Sequence, residues 1–439
     1  MTKFTINKNE QWRESSFKAL IPFIVFVFFY FGFSIATRDF SKVPMTVAFI
    51  ISSAVALILN HKEKLNNKIE VFASGMGNKD IMMMCLVFIL AGAFAATAKE
   101  IGGVTSAVTI AEHFIPPSFM ISGLFVISAL ISLSIGTSCG TIAALIPIAV
   151  TLSQTFGFNP SVVLGATVGG AMFGDNISLI SDTTIASTRT QNVDMRDKML
   201  YSLRIVIVPA IICVILYMLP VFSSVTIKSI QPVANLDAYI KIFPYALLLG
   251  LGIAGVNVMF LLLIGTILNT IIGMHYGIFD IFGAFTCIGD GTVSMANTLT
   301  VAMLAGGLLK MVRYNGGITY IIKETKHLIT SKKTCEIGIC ILVAIINLFT
   351  ANNTVAIITA GPIAKELSTT YGVNPKRTAS LLDTTSCFIQ GLIPYGAQIL
   401  IATSLASAIG ASSFTIMKGL FYPALLGFGI AASVAMTKK

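Results

Sequence analysis

Two aspartates seven positions apart, Asp175 and Asp182, stand in the run GDNISLISDTT at Gly174–Thr184, inside a stretch otherwise apolar enough for a membrane. Asn176, Ser178, Ser181, Thr183 and Thr184 surround them. A carboxylate at membrane depth is costly, so a pair of them marks a functional site by default. Ionised, such a group binds Na+; protonated, it carries a proton. Competition between the two for one site is sufficient for exchange. The competing reading is that both aspartates cap half-helices, Asp being a favoured N-cap residue, and the two roles are compatible.

Other charged residues are weaker candidates. Asp383 and Thr384 precede a second interrupted run, IQGLIPYGAQ at Ile389–Gln398, and Asp290 sits in CIGDGTVSMANT. Either aspartate could be a second intramembrane carboxylate, with a loop position as the alternative. Lys99 and Arg313 fall at span ends, where snorkelling to the interface explains them. His113 and His327 fall in amphipathic stretches and read as surface residues. The seven cysteines are scattered without C-x-x-C pairing and read as small core residues. GGAMFG at Gly169–Gly174 lies within a span with no strand before it, so it is no phosphate loop. No Walker motif or nucleotide domain is present and no nucleophile–base pair is visible. Neither ATP-driven transport nor an enzyme is expected, no cofactor is implied, and the energy must come from an ion gradient.

The elements that must position these residues are membrane helices. Of the 439 residues 55% are apolar and 11% charged, against about 25% charged in a soluble chain. The net charge of +10 comes from short basic clusters between apolar runs, which membrane topology explains without nucleic acid. Windows of about 20 apolar residues recur near 18–36, 43–60, 80–98, 118–135, 199–221, 238–256, 257–273, 294–312, 335–350 and 413–436. The segment 274–293 has no clear place. The expected fold is an all-α polytopic membrane protein of about 10–12 transmembrane segments in a bacterial cell (inner) membrane. The basic tail (Lys3, Lys8, Arg13, Lys18) and the 61–79 loop put the N-terminus in the cytoplasm.

The chain also repeats itself. LAGAFAATAKEIGGVT at Leu90–Thr105 lies over LAGGLLKMVRYNGGIT at Leu304–Thr319, and PIAVTLSQTFGFNP from Pro147 over PIAKELSTTYGVNP from Pro362, with nine identities in fourteen. Duplicated halves with broken segments at matching places are the mark of secondary transporters, whose site lies between the repeats. Each half has a Ser/Thr/Asn-rich turn, GTSCGT at Gly136–Thr141 and TANNT at Thr350–Thr354, and then an interrupted helix. The expected organisation is 1–79, an N-terminal two-helix segment; 80–225, repeat 1, with hairpin tip 136–141 and broken helix 160–188; 226–293, linking helices; and 294–439, repeat 2, with hairpin tip 350–354 and broken helix 376–408. The second-half positions matching Asp175 and Asp182 hold Gln390 and Ala397, which leaves titration to the first half.

GDNISLISDTT resembles the signature of NhaC-type sodium/proton antiporters of the ion transporter superfamily, Gly-Asp-Lys-Met-Ser-Pro-Leu-Ser-Asp-Thr. Gly174, Asp175, Ser178, Ser181, Asp182 and Thr183 match; Asn176 replaces the lysine and Leu179 the proline. LIPYGAQ at Leu392–Gln398 is similar to the family's Leu-Ile-Pro-Trp-Asn-Thr-Cys-Gly turn. The resemblance implies inverted-topology repeats, each with a re-entrant hairpin and an interrupted helix. It implies ion or substrate contacts at Thr137, Ser138, Thr141, Asn352, Asn353 and Thr354, and places Asp383, Thr384, Pro394, Tyr395 and Gln398 at the second broken helix. On this reading the chain exchanges Na+ and H+, its coupling ions, with Na+ held at Asp175 and Asp182. The alternative is a sodium- or proton-coupled carrier or exchanger of a small organic acid or amino acid, whose carboxylate the tips would hold. The expected partners are membrane lipid and the transported small cation, carboxylate or amino acid, with no nucleic acid; a homodimer stays open by analogy with such folds.

Overall fold

The computed structural model describes residues 15–36, 43–59, 63–106, 116–179, 181–219, 236–254, 256–327 and 329–437. The tail residues Lys3, Lys8 and Arg13, and also His113, lie outside the described residues. Every regular element among the described residues is helical: α1 (Ile21–Ala36), α2 (Met45–Ile58), α3 (Leu65–Met76), α4 (Lys79–Glu100), α5 (Pro117–Ile135), α6 (Ser138–Phe156), α7 (Pro160–Ile177), α8 (Asp182–Gln191), α9 (Met195–Tyr217) and α10 (Leu236–Ile253). The rest are α11 (Val258–His275), α12 (Ile281–Ser294), α13 (Ala296–Tyr314), α14 (Gly317–His327), α15 (Lys332–Thr350), α16 (Asn353–Thr370), α17 (Pro375–Gln390), α18 (Ala397–Leu405), α19 (Ser413–Gly419) and α20 (Phe421–Ala435). Among the described residues, eight stretches are long and apolar enough to cross a membrane, or ten if the bent pairs α12–α13 (40°) and α19–α20 (56°) each count as one span. The chain is a multi-pass membrane protein.

Two sequence windows come out differently. The 43–60 window holds only the 14-residue α2, because Pro44 starts the helix and Leu59 leaves it in extended conformation. The 413–436 window bends at Leu420, whose non-helical backbone (ψ 81°) separates α19 from α20. The unplaced 274–293 segment contains α12, capped by the Asp280 carboxylate, which accepts from Gly283 N.

The chain forms two compact units. One comprises 1–82 and 300–329, the other 83–299 and 330–439. In the first, Phe26 and Phe49 join α1 to α2 at a ring separation of 4.2 Å. The candidate ion-site and tip residues lie in the second unit; Arg313 and His327 belong to the first.

That unit uses one succession of elements twice. α5 ends at Gly136, whose left-handed backbone (φ 76°) turns the chain in one residue, and Thr137 caps α6. α15 ends at Ala351, also left-handed (φ 50°), and Asn352 caps α16. Both second helices contain a proline, Pro147 and Pro362. Both third helices start with an asparagine cap and a proline, Asn159-Pro160 and Asn374-Pro375, proline at the first position wasting no backbone donor. Each third helix then breaks. α7 stops where Ser178 turns extended (ψ 137°) and α8 restarts at the Ser181 cap. α17 stops at Gly391, and Pro394 lies in the turn before α18.

α5 and α7 lie close because small residues face backbone. A Cβ on Gly170 would run into the Phe125 carbonyl, and one on Gly174 into that of Ala129. The GGAMFG run is therefore a helix-contact stripe.

Candidate functional site

A broken helix leaves backbone groups with no partner in their own ladder, and at membrane depth these need partners from the protein. At the first break the Ser178 carbonyl accepts from Thr184 Oγ1 at 2.8 Å, and Ser178 Oγ donates to the Leu133 carbonyl at 2.8 Å. The Asn176 carbonyl accepts from Lys198 Nζ at 3.0 Å. Lys198 sits in the first turns of α9, fully buried, and also donates to Thr184 Oγ1 at 2.8 Å. Its third partner is the carboxylate of Asp383 on α17, itself fully buried. One ammonium thus ties a freed carbonyl of the first broken helix to a carboxylate of the second.

Asp175 lies in the last turn of α7, 6% exposed, and accepts from Ser138 Oγ at 3.1 Å. Ser138 in turn accepts from Gln398 Nε2 at 3.1 Å; Gln398 Oε1 accepts from Gln390 Nε2 at 3.0 Å; and Gln390 Nε2 also donates to the Ala351 carbonyl at 2.8 Å. This chain of amides and hydroxyls runs from Asp175 through the first tip and both edges of the second break to the second tip. Asn176 closes the site on another side, donating to Tyr422 OH at 2.9 Å and to Cys387 Sγ at 3.2 Å. Asp175 interacts electrostatically with Asp383, Asp182 and Lys198. Several buried oxygens here have no hydrogen-bond partner among the described residues: Asp383 Oδ1, Gln390 Oε1 and, on α15, Asn347 Oδ1.

The structure brings Asp175, Asn176, Ser138, Asp383 and Gln398 into one connected site. Asp182 opens α8 with an exposed side chain, where a carboxylate complements the positive end of a helix, and it interacts electrostatically with Asp175; the buried Asp383 lies on α17. The second half contributes a buried carboxylate, Asp383, bonded to Lys198 beside the first break. Ser178, Ser181 and Thr183 are buried but serve the break, Ser181 accepting from Thr184 N at 3.1 Å and meeting Thr183 Oγ1 at 2.9 Å. Thr137 and Thr141 bond within the first tip, Thr141 Oγ1 donating to the Thr137 carbonyl at 3.0 Å. Asn352 caps α16 and donates to Met84 Sδ at 3.0 Å; Asn353 Oδ1 accepts from Thr354 N at 3.2 Å. Thr384 bonds back to the Ser380 carbonyl, and Tyr395 OH donates to the Leu348 carbonyl, pinning the turn that holds buried Pro394. Asp290 is exposed on α12.

Sequence reasoning missed Lys198. In MRDKMLYSLR it reads as one more charge in a solvated stretch. The available signal was indirect: Asn176 stands where the resembling motif has a lysine, so a cation had to come from elsewhere.

A model of the Na+/H+ antiporter family matches residues 8–221 and 221–432. The Na(+)/H(+) antiporter NhaC of Alkalihalophilus pseudofirmus is 22% identical over 443 residues, 90% of this chain and 92% of that protein. The malate-2H(+)/Na(+)-lactate antiporter of Bacillus subtilis is 26% identical over 179 residues, 41% of this chain and 37% of that protein. Among solved structures, the YdaH transporter of Alcanivorax borkumensis is similar with a TM-score of 0.47 and 15% identity, over 94% of this chain and 97% of that one.

Proposed function

The chain belongs to the Na+/H+ antiporter family, and from that premise we propose that Asp175, Asp383 and Lys198 are the groups at which it exchanges Na+ for H+. One observation carries this reading: two buried carboxylates and one buried ammonium meet where both broken helices approach both tips. With all three charged, the cluster bears a net charge of minus one (two negative, one positive). A low-dielectric site with one uncompensated negative charge takes up one cation, and Na+ and H+ then exclude each other. Hard cations prefer oxygen, and Asp175, Ser138, Asp383, Gln390 and Asn347 offer carboxylate, hydroxyl and amide oxygens. Alternating access would move this site between faces, with the duplicated halves related by inversion and the two helix-turn-helix tips as hairpins at its edge. The basic N-terminal tail and 61–79 loop support a cytoplasmic N-terminus in a bacterial inner membrane.

The partial match to a malate/lactate exchanger supports a second reading, in which an organic acid travels with the cation. Proteoliposomes with a trapped pH dye separate the two. Na+ alone should drive proton movement, Asp175→Asn and Asp383→Asn should each abolish it, and Asp182→Asn should run close to wild type. Silence until malate, lactate or an amino acid is added would establish the second reading. Wild-type rates in both Asp175→Asn and Asp383→Asn would remove the site assignment under either.

A further inference from the structure

A cavity of about 830 Å³ opens between α9 and α20 at the end of the bundle where α15 and α17 begin. Its walls are apolar and face outward: Val208 is 58% exposed, Ile212 38% and Phe428 75%. Its floor is formed at Gly429, where a Cβ would stand 2.7 Å from the Ile205 carbonyl, so the two helices touch through backbone. Along α9 the lining runs from Tyr201 to Ile212, a rise of about 16 Å. One leaflet of hydrocarbon is about 15 Å deep. The groove therefore has the depth of one lipid chain.

The rim is cationic. Arg204, Lys332 and Arg377 line it with a single carboxylate, Glu336. Arg377 is consumed, its fork holding Glu336 at 2.6 and 2.9 Å and its other donors on Ser433 and Thr437. Arg204 and Lys332 are exposed and form no ion pair among the described residues. The Arg204 guanidinium lies 5.2 Å over the Tyr201 ring, which orients it and leaves its N–H groups available. A smaller groove of about 450 Å³ on the other face of α20 lacks this feature, because Lys333 there donates to the Ala435 carbonyl.

We propose that this groove binds one anionic phospholipid, its phosphate held by Arg204 and Lys332 and an acyl chain laid along Val208, Ile212 and Phe428. A zwitterionic lipid would leave the rim's excess positive charge uncompensated. A second copy of the chain packed here about a two-fold axis would set Arg204 and Lys332 against their own counterparts. The site is separate from the ion cluster and does not depend on the exchange reading.

Native mass spectrometry of the purified protein, with equal phosphatidylglycerol and phosphatidylcholine, tests this. Wild type should retain one phosphatidylglycerol in preference. Arg204→Gln/Lys332→Gln should lose that preference by about thirtyfold, as expected for two interfacial charges. Ala432→Trp, which fills the groove without changing charge, should lose the bound lipid while melting as wild type does; it decides the matter if the double variant fails to fold. Equal retention of both lipids by wild type, or unchanged phosphatidylglycerol retention in Ala432→Trp, would overturn the proposal. A lipid-free dimer strengthened by the double substitution would assign the face to a second copy instead.

Discussion

At the scale of single residues, the buried Lys198–Asp383 pair makes a demand that can be measured. Removing one partner of a buried ion pair leaves a charge without compensation, at a cost of about 3–5 kcal/mol, whereas removing both is close to neutral. Lys198→Gln should therefore lower the thermal midpoint in detergent sharply, and Lys198→Gln/Asp383→Asn should recover most of it while staying dead in exchange. If the double variant melts no higher than the single, the two groups are not coupled. How much of this was legible in sequence follows the same physics. Asp175 stood out because a carboxylate inside an apolar run has few explanations. Lys198 did not, because its neighbours Arg196 and Asp197 make it look solvated, and only the fold of α9 against the first break buries it. Asp182 has the sequence surroundings of Asp175, yet the helix restarts on it and its side chain is exposed, which only the structure shows.

At the scale of elements, the breaks and tips were readable because Gly, Pro and Asn interrupt helices by known mechanisms, whereas several partners satisfying the breaks, such as Lys198 and Leu133 at the first, come from other helices. The two tips differ in one way that sequence comparison passes over. Gly136 takes the left-handed turn without strain, while Ala351 takes it with a Cβ, a conformation costing about 1 kcal/mol or more. Gly136→Val should lower the thermal midpoint and exchange together, and Ala351→Gly should leave both unchanged or improve the midpoint. The contact between α5 and α7 gives a sharper expectation. Gly170→Leu has no room beside the Phe125 carbonyl, so the helices must part by roughly the width of a side chain. A loss of about 2 kcal/mol or more is expected, read as a lower melting midpoint and no measurable transport.

At the scale of the whole molecule, the ion cluster, both tips and both breaks fall within the larger compact unit, and the segments 1–82 and 300–329 form the other. One consequence of the buried ammonium reaches beyond chemistry to energy supply. With one ammonium against two carboxylates, the proposed cluster is neutral whether one Na+ or one H+ occupies it, and each crossing carries no net charge. A membrane voltage does about 2.3 kcal/mol of work per elementary charge per 100 mV, and here it would find nothing to act on. Clamping vesicles with potassium and valinomycin at either polarity should leave Na+-driven proton flux unchanged, and a rate that follows the voltage would overturn one-for-one exchange at this cluster. A cell whose membrane was electrically charged but had equal pH on both sides could then draw no sodium expulsion from this carrier.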